Sequence, residues 1–143
     1  MKIIRKISLI GILFLLIGCF STETKDAKKA YEYWSGNEPP KEIELIEGEY
    51  YQSPHFTLEY ELFLKFKSDK KWFEEFVEYT RLEIDTIGND WKAWKAWTEL
   101  PKWFNPDQNF LIYAKDQSNE FERSRYLRHP ETGISYIYET VGM

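Results

Sequence analysis

Hydrophobic and polar positions alternate with a period of two over residues 56–66. Phe56, Leu58, Tyr60, Leu62, Leu64 and Phe66 take the even positions, and Thr57, Glu59, Glu61 and Lys65 most of the odd ones. This predicts a long strand with one buried and one wet face. Phe63 is the one large apolar residue on the predicted wet face. Ser68 or Asp69 can cap a helix after the strand. Trp72, Phe73, Phe76, Val77, Thr80, Ile84 and Ile87 then follow the helical period up to Gly88, a natural stop. Asn89-Asp90 offers a second cap, for a short helix over 91–100 that ends before Pro101. Three strands are predicted beyond it, over 110–115, 121–129 and 134–141, the last two joined by the turn His129-Pro130-Glu131-Thr132-Gly133. The order predicts a single α+β domain over residues 42–143. Its antiparallel sheet has about four strands, one before and three after the helices, with the helices packed on one face.

The chain before residue 42 has a different texture. Residues 19–41 read as a tether: Ser21-Thr22-Glu23-Thr24-Lys25-Asp26 is small and polar, and Pro39-Pro40 breaks regular structure. Ala27 to Trp34 has room for a helical turn or two. At the N-terminus, Lys2, Arg5 and Lys6 precede an eleven-residue apolar run, 7–17, interrupted only by Ser8 and Gly11. A helix of that length rises roughly 16 Å, about half of a ~30 Å hydrocarbon core. The run is short for a membrane span and has the length of a signal-peptide hydrophobic region.

The residues that close the run, Leu16-Ile17-Gly18-Cys19, resemble the lipobox of bacterial lipoproteins. The resemblance covers residues 1–19 only. It implies that the Cys19 thiol receives a diacylglyceryl group, that residues 1–18 are cut away between Gly18 and Cys19, and that the new amino group is often acylated. The expected product is exported and held in the cell membrane or outer membrane by acyl chains, with its domain outside the cytoplasm. In enterobacterial members an Asp after the Cys marks inner-membrane retention, and Phe20 is compatible with the outer membrane. More than one acyl chain suffices for stable anchoring at roughly 0.8 kcal/mol per buried methylene.

Cys19 is the only cysteine of the 143 residues, so the domain holds no internal disulfide and must bury a real core. Without Lys2, Arg5 and Lys6, 16 of the 19 basic residues remain against 24 acidic ones, a formal charge of −8. That balance argues against nucleic acid as the main partner. An aromatic content of 18% argues against disorder.

Candidate chemistry is sparse. His55 and His129 stand alone, and the sequence has no zinc or calcium spacing, no Gly-x-Ser-x-Gly elbow and no phosphate loop, so no metal, cofactor or catalytic residue is assigned. Glu59 and Glu61 share a predicted strand face at ~7 Å, a separation open to glycoside chemistry, but solvent-facing carboxylates are what solubility demands. Trp91, Trp94 and Trp97 step by three along the predicted short helix, which suits core packing better than a stacking platform. Trp103 and Phe104, between two prolines, are the better candidates for an exposed binding surface, together with Phe63. Arg123 and Arg125 share a strand face and could grip a carboxylate or phosphate, or pair with the protein's own Glu59 or Glu61. The reading favoured is a non-enzymatic envelope lipoprotein that binds another protein. A glycan- or peptidoglycan-binding module using Trp and Tyr, and a hydrolase with an unrecognised carboxylate pair, are the alternatives.

Overall fold

The computed structural model describes residues 21–54, 58–85, 98–115 and 124–142. These form one seven-stranded antiparallel sheet and two helices. In chain order the elements are β1 (Thr22–Thr24), α1 (Ala27–Ser35), β2 (Ile43–Gln52), β3 (Tyr60–Ser68), α2 (Lys70–Thr80), β4 (Glu83–Ile84), β5 (Leu111–Ala114), β6 (Arg125–Arg128) and β7 (Ile134–Val141). The strand order is β1-β2-β3-β7-β6-β5-β4, so the two long strands β3 and β7 sit side by side at the centre.

This overturns the expected sheet of about four strands with helices on one face. Three strands, β1, β2 and β4, escape the sequence pattern. β2 is hidden because a bulge between Leu45 and Glu47 breaks its alternation. Gly48 then stands where a buried side chain is expected. β4 is two residues long and continues directly from a helix that ends early. Asp69 does cap α2, accepting from the Trp72 amide at 2.6 Å. Arg81 then takes a left-handed conformation with φ 56°, and the Leu82 amide returns to the Val77 carbonyl at 3.0 Å. That closes the helix as a Schellman motif and turns Leu82 into the core. Ile84, expected on the helix, lies in β4. Residues 91–97 of the expected short helix lie outside the described residues.

The expected tether is also corrected. Thr22, Glu23 and Thr24 pair with Gln52, Tyr51 and Tyr50 at the edge of the sheet. Asp26 caps α1 by accepting from the Lys29 amide at 2.8 Å, and Gly36, at φ 71°, ends it. Ala30 and Tyr31 are buried in the core. The folded unit therefore starts by Thr22, twenty residues earlier than the composition implies. Small polar residues suit a short edge strand and a helix cap as well as they suit a linker.

Both faces of the central strands are covered. On one face Tyr50, Leu62, Leu64, Phe66, Tyr126 and Ile137 pack with Ala30, Tyr31 and Trp34 of α1 and Trp72, Phe76 and Val77 of α2. On the other, Phe63, Ile112, Leu127, Tyr136 and Tyr138 pack beneath Phe104 and Phe110 of the segment 98–110. The predicted wet face of β3 is thus a second core. Phe63, the odd apolar residue of that face, meets Tyr138 with ring centres 4.9 Å apart and Phe104 at 5.5 Å.

The last hairpin is locked by Arg128. Its guanidinium donates to Ser68 Oγ at 2.8 Å, the Ser68 carbonyl at 3.2 Å, the Gly133 carbonyl at 3.2 Å and Ser135 Oγ at 3.4 Å. It also lies 4.8 Å from the Phe73 ring centre. Burial lowers its pKa from the usual arginine value, while Tyr113, Asp69 and Glu74 oppose that shift.

α1 rests on β2 at Gly48. A Cβ there would stand 2.8 Å from Ala27 Cα and 3.1 Å from both Ala30 Cβ and Leu64 Cδ1. Gly48→Ala is expected to force α1 off the sheet and to cost about 1–3 kcal/mol, read as a lower urea midpoint.

Candidate functional site

Each core holds one carboxylate. On the helix-covered face Glu139 of β7 is only 6% exposed. It accepts hydrogen bonds from the hydroxyls of Tyr60 and Tyr126. Trp34 Nε1 adds a third donor at 3.1 Å, and Lys115 Nζ stands 3.7 Å away. α1, β3, β6 and the chain leaving β5 thus converge on one group. Tyr60 is pushed well above the ordinary tyrosine pKa, first by burial and then by its bond to Glu139 and that group's charge. Every oxygen of Glu139 is engaged by the protein itself, so this arrangement is structural.

On the opposite face Glu61, 4% exposed, accepts from Tyr138 Oη at 2.8 Å and Thr98 Oγ1 at 2.6 Å. Neighbouring Glu49 accepts from Trp103 Nε1 at 3.3 Å and pairs with Lys25 Nζ at 3.4 Å. Glu23 of β1 and Glu99 complete the rim. These residues, with Thr24, Tyr51, Phe63 and Thr98, line a groove of about 290 Å³. That is near the lower bound of ordinary ligand pockets, roughly 300–1,000 Å³, and suits one side chain better than a chain of sugars. Its acceptors outnumber its donors, and the half-exposed Tyr51 ring supplies a π face. Both features favour an ammonium or guanidinium group. A second cleft of about 340 Å³ between α2 and β4–β5 has Phe73, Val77, Leu82 and Tyr113 on its floor and Glu74, Glu78, Arg81 and Glu83 around it. Among the described residues no three His, Cys, Asp or Glu groups are placed to hold a metal.

The candidates read from the sequence are distributed as follows. Phe104 is buried, and Phe63 is buried but for its part in the lining of the groove; Trp103 is half-buried against Phe104, and its indole N–H is held by Glu49. Arg125 is half-buried, with Nε 3.7 Å from Asp85 and Nη1 donating to the Ser124 carbonyl at 2.8 Å. Its carboxylate neighbour is therefore Asp85, and β6 lies two strands from Glu61. Glu59 accepts from Ser53 Oγ at 3.1 Å, while Glu61 is bound by Tyr138 and Thr98, so the pair does not face one open cleft. His129 Nδ1 accepts from the Glu131 and Thr132 amides and its ring packs on Phe110, a turn-stabilising role. Gly18, Cys19, His55, Trp91, Trp94, Trp97 and Arg123 lie outside the described residues. The groove was missed because Glu49 and Tyr51 belong to the strand concealed by the bulge. Phe63 on a charged strand face was the available signal that something covers it.

Tyr126→Phe removes a fully buried donor to Glu139 and is expected to cost about 1–3 kcal/mol in urea unfolding. Burial also raises the pKa values of Tyr31, Tyr50 and Tyr113. Raised folded-state values contribute stability in full below pH ~10, and that stability is lost above it, because unfolded tyrosines ionise where buried ones stay protonated. The urea midpoint is expected to fall between pH 9 and 11, and less steeply in Tyr60→Phe. No family model, curated protein or solved structure matches this chain.

Proposed function

We propose that this chain is a lipid-anchored lipoprotein of the bacterial envelope whose domain is a non-enzymatic protein-binding or accessory module. Its groove beside Glu61 receives a basic side chain of an envelope protein. The observation that carries the anchor is the series of basic N-terminus, eleven-residue apolar run and Leu16-Ile17-Gly18-Cys19. No helix among the described residues is long and apolar enough to cross a membrane. The attachment proposed is by acyl chains on Cys19.

The binding reading is supported by how the carboxylates are used. Glu139 and Glu61 serve as acceptors for hydroxyls of their own cores. At the rim of the groove Glu23 and Glu99 are exposed, and nearby Lys25 is held by Glu49.

Two outcomes are expected. Cys19→Ala blocks incorporation of labelled fatty acid and leaves an uncut precursor; labelling equal to the wild type contradicts the anchor. A photo-cross-linking residue at Tyr51 in membranes gives a discrete adduct with an envelope protein, and the adduct is lost in Glu23→Lys/Glu99→Lys. An adduct unchanged by that charge reversal removes the groove from the proposal.

A further inference from the structure

The position at which the folded unit begins restricts how an anchored form can sit. Two residues, Phe20 and Ser21, separate Cys19 from Thr22 in β1, and the three steps reach at most about 11 Å when fully extended. The headgroup region of one leaflet is itself roughly 5–8 Å thick. With acyl chains on Cys19, the Thr22 end of the sheet therefore has no room to leave the bilayer surface.

That end is a defined row of the sheet. Thr22 pairs with Gln52, Gln52 with Tyr60, and Tyr60 with Val141. At ~4.8 Å between strands the row spans about 14 Å. Two exposed apolar side chains occupy it: Val141, 37% exposed, and Leu58, 60% exposed. Leu58 lies beside the end of β7, since a Cβ on Gly142 would stand 3.0 Å from its carbonyl oxygen. Tyr51, 39% exposed, comes one position further in, at the border with the groove. Tyrosine suits such a level, with an apolar ring and a hydroxyl that remains hydrated.

We propose that in the lipid-anchored form this end of the sheet rests on the phospholipid headgroups, with Leu58 and Val141 turned into the bilayer interface; the proposal depends on the lipid-anchor reading above. The short link sets the distance, and the apolar pair sets which surface turns downward. Glu23 and Glu59 share this end, so anionic lipid does not draw it in by charge, and the contact is apolar and insensitive to salt. The groove then opens close above the membrane, toward partners that are themselves membrane-bound.

The test uses the full lipidated chain, purified from bacterial membranes and reconstituted into phosphatidylcholine vesicles. Because Cys19 is the only cysteine and its sulfur is alkylated in this form, Leu58→Cys provides a unique thiol for a nitroxide label. Leu111→Cys, at the opposite end of the sheet and 42% exposed, is the control. On floating vesicles the label at residue 58 is expected to be severalfold less accessible to an aqueous paramagnetic reagent than the label at 111, equally at low and high salt. Protein that floats with the vesicles while both labels remain equally accessible overturns this orientation and leaves the anchor standing. Protein that fails to float overturns both.

Discussion

A carboxylate withdrawn from water costs several kcal/mol unless donors replace the water it gives up, and in this fold the donors that do so come from everywhere else. Glu139 stands on a central strand and is met by Trp34 of α1, Tyr60 of β3 and Tyr126 of β6, with Lys115 nearby. None of these groups is close to Glu139 in sequence except Tyr126. Their convergence requires that α1 be docked, that β3 and β6 flank β7, and that the chain after β5 pass over the same end. A slip of one residue in β7 would send Glu139 to the opposite core and leave three donors buried without an acceptor. The network thus penalises alternative registers, while the rings around it provide most of the burial.

The aromatic content makes a two-faced sheet possible in so short a chain. Trp72 stacks on Phe76 with ring planes 8° apart, and Tyr50 stacks on Tyr60 at 5.6 Å. On the other face Phe104 meets Phe63 and Tyr136 edge-on. Among the described residues, the rings of segment 98–110 pack across this face without a disulfide. Among the described residues, the groove beside Glu61 lies where β1 and Thr98 approach the same strands from two sides. Its charge comes from one carboxylate each of β1, β2 and β3, Glu23, Glu49 and Glu61, together with Glu99.

The proposed anchor depends on residues 2–19, and its consequence for posture changes once Thr22 is known to belong to the sheet. A long flexible tether would leave the domain free to take any orientation. Under the proposed anchor, the two residues between Cys19 and Thr22 would hold the domain at the bilayer, so the character of one sheet end becomes consequential.

What the amino-acid order alone decided is local. The residues that resemble a lipoprotein signal, up to Cys19, are contiguous, and the alternation around Tyr60 to Phe66, the Asp69 cap and the turn ending at Gly133 involve neighbours in the chain. What only the tertiary structure decided is pairing at a distance. β1 and β4 are too short to carry a period, β2 loses its own at the bulge, and polar residues 21–26 fold because Tyr50 and Tyr51 offer them an edge. The functions of Glu61 and Glu139 follow the same division. Alternation places both residues on strands, but whether a strand face meets water or a second layer is set by segments tens of residues away, and periodicity within one strand carries no record of them.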